Sequence, residues 1–139
     1  KKRLAFLRDS WLLPKLKAAD QASLVFFSTV AVKMGMPFHT SVAAAKGALE
    51  GFAKALAAEY APNFRVNVIA PSLTDTPLAS KLLSNDSKKE KMAARHPLQR
   101  VGEASDIASM AVYLLQENSG WITGQVIGVD GGLSTLNIQ

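Results

Sequence analysis

Apolar positions along the chain change period several times, and each change marks an element. Over 4–18, Leu4, Leu7, Trp11 and Leu12 fall on one side of a helix, a pattern that Pro14 interrupts. Ser23 to Phe27 (SLVFF) is a nearly continuous apolar run, as expected of a strand buried on both faces. Gly35 and Pro37 mark the loop that follows. The clearest helical period covers 41–60, where Val42, Ala45, Leu49, Phe52, Leu56 and Tyr60 form the inward stripe. A second stripe on that helix is small: Ala44, Gly47, Ala48, Gly51, Ala55 and Ala58. Glycine inside a helix costs ~1 kcal/mol relative to alanine. Gly47 and Gly51 together therefore predict tight packing against a strand or another helix.

Pro62 and Asn63 end the helix, and Arg65 to Ala70 (RVNVIA) reads as the next buried strand, closed by Pro71. Residues 77–94 are polar, lysine-rich and helical in pattern. Residues 104–117 form an amphipathic helix with Ile107, Ala108, Ala111, Leu114 and Leu115 facing in. Gln125 to Val129 is a further strand, and Asp130-Gly131-Gly132 turns the chain after it. The alternation predicts an α/β fold of parallel strands joined by right-handed crossovers. Ligands of such sheets bind beyond the carboxyl ends of the strands. That edge should receive Ser28 and Thr29 from the first strand, Pro71 to Thr76 from the second and Asp130 from the third, all lining one crevice.

Composition narrows the classes. The 139 residues suit one domain, and an apolar content of 48% argues against disorder. The apolar runs are too short for a membrane span. Lys1-Lys2-Arg3 has the character of a signal-peptide start, but Arg8 and Asp9 interrupt the stretch behind it, so none is expected. Without cysteine there are no disulfides or thiolate metal ligands, and a cytoplasmic location is the default expectation. The net charge of +5 reads as general solubility. Lys81, Lys88, Lys89 and Lys91 alternate with Asp86 and Glu90, a solvated surface and no nucleic-acid stripe. Asp75, Glu103 and Asp106 read as helix N-terminal carboxylates. His96 reads as structural or solvated, and no cluster has metal-ligand spacing.

Several local motifs occur in order. Ser28-Thr29 ends a strand; Val42 to Lys46 reads VAAAK; Arg65 to Thr76 reads RVNVIAPSLTDT; Pro97 to Ala108 reads PLQRVGEASDIA; Gly124 to Gly132 reads GQVIGVDGG. From Leu24 to Gly132 the chain closely resembles the C-terminal half of a short-chain dehydrogenase/reductase. That family carries a Ser at a strand end, Tyr-x-x-x-Lys, R-V-N-x-x-x-P-G-x-x-x-T and P-L-x-R-x-G-x-P-x-D-I-A. The resemblance implies the C-terminal part of a doubly wound Rossmann-type parallel sheet with helices on both faces. It also implies NAD or NADP as cofactor, with Lys46 on the nicotinamide ribose and Pro71, Ser72, Thr74 and Thr76 at the nicotinamide end. A small carbonyl, alcohol or acyl thioester would be the substrate. A homodimer or homotetramer is implied as well, pairing through the helices over 4–18 and 41–60 and through the last strand.

Two departures matter. Thr29 keeps the hydroxyl of the family's Ser, and Lys46 is in register, but Val42 stands where the family has its Tyr and has no ionisable group. His39 is spaced from Lys46 as the Tyr-x6-Lys of the divergent enoyl-reductase branch, and imidazole exchanges protons near neutral pH. His39 is thus the candidate acid beside Thr29 and Lys46. Secondly, nothing matches the family's T-G-x-x-x-G-x-G turn, and the chain does not begin with Met. The expectation is a single domain over 1–139 that is the C-terminal half of a longer fold. The functional expectation is an NAD(P)-dependent oxidoreductase; the alternative is a catalytically silent relative that binds nucleotide or a protein partner.

Overall fold

The computed structural model describes residues 12–19 and 21–137. Helix α1 spans Leu12–Ala18; Leu4, Leu7 and Trp11 of the expected stripe lie outside the described residues. Pro14 lies within the described helix and does not break it. Leu16 packs onto the core.

Strand β1 (Ala22–Phe27) leads through a 3-10 turn (Val30–Val32) to helix α2 (Thr40–Tyr60) and strand β2 (Phe64–Pro71). Strand β3 (Thr74–Asp75), a 3-10 turn (Pro77–Ala79), helix α3 (Asp86–Ala93), strand β4 (Gly102–Glu103), helix α4 (Ala104–Leu115) and strand β5 (Val126–Val129) follow. The main sheet has the order β1-β2-β5 and is parallel throughout, with Ala22 beside Phe64 and Val68 beside Val126. The two-residue strands β3 and β4 pair separately, also in parallel. Nothing in the apolar pattern announces a ladder so short.

Strand alternation divides the core. Phe64, Val66 and Val68 meet Ala53, Leu56 and Ala57 of α2, with Leu24 and Phe26 of β1 beside them. The Phe26 and Phe52 rings meet edge to face at 5.9 Å, and Tyr60 stacks on Phe64 at 4.9 Å. Asn67 and Ile69 point the other way and are wholly buried. On that face Ser23 Oγ donates to Leu114 O at 2.7 Å, holding α4 to β1. Asn67 also holds β2 to the approach to β5: its amide donates to Ile122 O at 2.9 Å and accepts from Gln125 N–H at 3.1 Å.

Several expectations are corrected. β1 is not buried on both faces: its residues are half-buried and Phe27 is 45% exposed, because in the described sheet β1 has only β2 for a neighbour. β2, flanked on both sides, is the near-totally buried strand. The small-residue stripe of α2 faces outward, and a Cβ built on Gly51 would meet nothing within 4 Å. The helix instead buries Ala53 and Ala57, whose size lets it lie close on β2. Val42 and Ala45 are exposed because α2 begins beyond the end of the sheet. Leu115 is 53% exposed while Leu114 is fully buried, since α4 ends there. The polar segment 77–94 is a 3-10 turn and a short helix joined by a loop. Among the described residues no helix is long and apolar enough to cross a membrane.

Candidate active site

The carboxyl ends of β1 and β2 open into a cavity of about 750 Å³. Met36, Leu78, Leu82, Met92, Ile107 and Leu133 supply apolar wall, and Thr29, His39, Ser72, Thr74, Thr76 and His96 supply polar groups. Most of the polar set comes from chain that has just left a parallel strand, where the backbone is free to present side chains outward.

Thr29 caps the 3-10 turn after β1: its Oγ1 accepts the Ala31 N–H at 3.3 Å, which leaves the Thr29 O–H unspent by that bond. Ser28, 5% exposed, donates instead to the Glu50 carboxylate on α2. His39 occupies the residue before α2, brought there by Phe38, which has the unusual φ of +64° for a side-chain-bearing residue. The His39 ring lies with Nδ1 2.7 Å from Pro37 O. A carbonyl only accepts, so Nδ1 carries hydrogen, and in the neutral ring Nε2 is a bare acceptor.

The structure brings Thr29, Pro71, Ser72, Thr74 and Thr76 to one cavity, as the strand order predicts, and His39, singled out by its spacing from Lys46, borders it too; Ser28 and Asp75 are not in its lining. Lys46 is not in its lining: the ammonium donates to Phe27 O at 2.7 Å at the end of β1. Val42 is 39% exposed and also outside it. Asp130 departs from the expected single crevice. It lines a smaller neighbouring cavity with Ser72, His96 and Arg100. Its carboxylate accepts Gly132 N–H at 2.9 Å and Ser134 N–H at 3.0 Å, fastening the turn after β5. Burial pushes that carboxyl up, but the Ser134 and Gly132 hydrogen bonds and the Lys33 charge outweigh it and hold it below its ordinary value.

Asp75 differs from the sequence reading, and for His96 the structure selects the structural alternative over the solvated one. His96 is 3% exposed and fully hydrogen-bonded, not solvated, and it borders both cavities. Its Nδ1 lies 2.9 Å from Met92 O and its Nε2 2.9 Å from Ser72 Oγ. The signal available was its place directly before the PLQR motif; its polar neighbours concealed it. Asp75 lies on β3 and pairs with Lys89 at 2.7 Å, not at a helix start. Ser72 has a negative φ, so the turn that is glycine in the P-G motif needs none here. Glu103 and Asp106 do begin α4, where Asp106 accepts Glu103 N–H at 2.8 Å.

Residues 11–134 match the family model described as enoyl-(acyl carrier protein) reductase. A tropinone reductase homolog from Datura stramonium is 40% identical over 123 residues, covering 86% of this chain and 46% of that relative. A short-chain dehydrogenase/reductase structure from Brucella melitensis superposes with a TM-score of 0.75 at 32% identity, over 81% of this chain and 46% of that one. The chain belongs to the short-chain dehydrogenase/reductase family. A 3-oxoacyl-[acyl-carrier-protein] reductase from Chlamydia trachomatis, 42% identical over 122 residues, covers 87% of this chain and 48% of its own length. A gluconate 5-dehydrogenase from Burkholderia cenocepacia, solved in complex with NADP and tartrate, gives a TM-score of 0.82 at 25% identity over 89% of this chain and 49% of that one. The chain thus spans about half the length of these family members. Its fold is the C-terminal part of their parallel α/β sheet.

The residues present suit a nicotinamide dinucleotide. Thr74 Oγ1 donates to Ser72 O at 3.1 Å and Thr76 Oγ1 to Thr74 O at 3.4 Å, so both hydroxyl protons are used and both oxygens remain acceptors for a carboxamide N–H. Lys46 stands at the end of β1 with ammonium protons left to donate to a ribose hydroxyl.

Proposed function

We propose that the protein is an NAD(P)-dependent oxidoreductase acting on a small carbonyl or alcohol, or on an acyl thioester. The observation that carries the reading is the meeting of Thr29 and His39 in one largely apolar cavity at the carboxyl ends of β1 and β2. The bound cofactor supplies or accepts hydride at carbon, so a proton must move at the substrate oxygen. Thr29 O–H donates to that oxygen and orients it. His39 exchanges the proton through Nε2, since Nδ1 is held by Pro37 O. Lys46 donates to the nicotinamide ribose. Pro71, Thr74 and Thr76 face the nicotinamide end, while Ser72 lies against His96. The apolar walls beside Thr29 strengthen the hydrogen bond made there.

The reading includes two further parts. Val42 takes the place of the family's Tyr, which is why the acid falls to His39. The outward small-residue face of α2 and the half-exposed β5 pair copies of the chain into a homodimer or homotetramer, in the cytoplasm.

The test is calorimetric titration of the intact protein with NADH and NADPH, followed by turnover of carbonyl substrates by the native protein and His39→Ala. Binding of at least one dinucleotide is expected. His39→Ala should lower kcat by about 10²–10⁴-fold, the usual worth of a general acid, with cofactor affinity kept. An unaffected kcat removes His39 from the mechanism. Failure to bind either dinucleotide would leave a silent relative that uses the fold as a scaffold.

A further inference from the structure

The His96 ring fixes which way the Ser72 hydroxyl points. Met92 O, 2.9 Å from Nδ1, can only accept, so Nδ1 carries a hydrogen. In the neutral ring Nε2 is then bare and can only accept, so Ser72 O–H must donate to it across 2.9 Å. Flipping the ring would put carbon atoms against both oxygens and forfeit both bonds. Burial makes that arrangement hard to exchange for one with water: His96 is 3% exposed. Gln99 donates from its amide to His96 O at 3.0 Å and from its backbone at 2.8 Å, fixing the residue's backbone as well.

With its proton committed, Ser72 Oγ offers the cavity lone pairs alone. Thr29 is the opposite case: its oxygen accepts Ala31 N–H at 3.3 Å and its proton is unspent. The cavity therefore presents a donor at the end of β1 and an acceptor at the end of β2, between apolar walls. A substrate with a single carbonyl oxygen satisfies Thr29 and leaves the half-buried Ser72 oxygen without a donor from the substrate.

We infer that the substrate carries, besides the carbonyl or alcohol that reacts, a hydroxyl that donates to Ser72 Oγ: a hydroxyketone, or the corresponding diol in the oxidative direction, on an otherwise apolar body. Ser72 is the specificity-determining residue and His96 the positioning residue that sets its polarity. This rests on the oxidoreductase reading above and names its substrate class.

Two measurements on the intact protein test it. Long-range proton–nitrogen spectra of the histidines at about pH 8, above the ordinary imidazole value, should show His96 with hydrogen on Nδ1 and a bare Nε2. Hydrogen on Nε2 overturns the inference whatever the enzyme does. Secondly, reduction of 1-phenyl-1-propanone is compared with that of 2-hydroxy-1-phenyl-1-propanone. The native protein should favour the hydroxyketone by roughly 3- to 30-fold in kcat/KM, the range expected when one half-buried acceptor gains or lacks a hydrogen bond. Ser72→Ala should bring that ratio toward one, whatever it does to either rate. Reduction of both ketones with equal efficiency, or a ratio unmoved by Ser72→Ala, overturns the substrate class and leaves the oxidoreductase reading standing. Reduction of neither overturns the substrate class together with the reading it rests on.

Discussion

Lys46 Nζ donates to the carbonyl oxygen of Phe27 at 2.7 Å, tying the first half of α2 to the last residue of β1. The bond anchors an ammonium at the edge of the cavity without placing it inside. Lys46→Met keeps the stem and loses the charge. It should lower stability by about 1 kcal/mol, the net worth of a partly solvated hydrogen bond, in urea unfolding. Dinucleotide affinity in calorimetry should fall far more than that small loss explains. A variant that binds as tightly as the native protein would take Lys46 out of the cofactor site.

Arg65 holds the end of α4. Its Nη1 donates to Leu114 O at 3.0 Å, Ser119 O at 3.0 Å and Ser119 Oγ at 2.9 Å, and its Nη2 to Gln116 O at 3.1 Å. The same carbonyls also accept from neighbours: Leu114 O from Ser23 Oγ, Gln116 O from Ser119 N–H and Ser119 O from Ile122 N–H. Arg65→Ala should cost about 1.5–3 kcal/mol, because it removes the charge-assisted hydrogen bonds that hold this corner while the carbonyls keep their other donors. Arg65→Lys should cost nearly as much, since an ammonium cannot reproduce the planar fork. The urea midpoint decides.

Asp106 makes the start of α4 sensitive to acid. Hydrogen bonding from Arg100, and then from the Glu103 N–H, lowers its carboxyl from 3.8 to about 2. A depressed carboxyl stabilises the fold above its unfolded value, and that contribution is lost as pH falls through the folded value. The window therefore runs from just above pH 3.8 down to about 2. Native stability should decline across it, and Asp106→Asn should flatten the decline while lowering stability at neutral pH. Carbon-detected carboxyl titration should give the low midpoint directly, and Arg100→Gln should raise it.

Gly132 closes the turn after β5 with φ +87°, and a Cβ there would lie 3.0 Å from both Leu136 Cδ1 and Pro97 Cγ. Gly132→Ala should destabilise by about 1–3 kcal/mol through backbone strain and crowding together. Gly51→Ala is the control: its Cβ meets nothing within 4 Å, so a helix interior should gain up to ~1 kcal/mol. Thermal unfolding of the pair checks both signs.

The sequence carried much of the site as well as the fold. Residues 41–60 and 104–117 were legible as helices because their apolar periods are long, and both end within a few residues of the expected limits. Thr29, Pro71, Ser72, Thr74 and Thr76 were legible as neighbours because parallel strands deliver their carboxyl ends to one edge, whereas His39 was singled out only by its spacing from Lys46. His96 was not, because its partner Ser72 lies 24 residues away and no local pattern records a contact at that distance. The short β3–β4 ladder escaped for the same reason: two residues are too few for a period.

By itself the sequence determined the parallel α/β architecture and the strand ends that face the cavity, because those follow from periodicity and chain order, which are local; the family came from the resemblance of its motifs. Only the tertiary structure decided which strand is central, that most of the small-residue face of α2 points outward, that Asp130 belongs to a neighbouring cavity, and that Ser72 meets His96. Burial and hydrogen-bond direction depend on which distant groups meet, and such meetings exist only once the chain has packed.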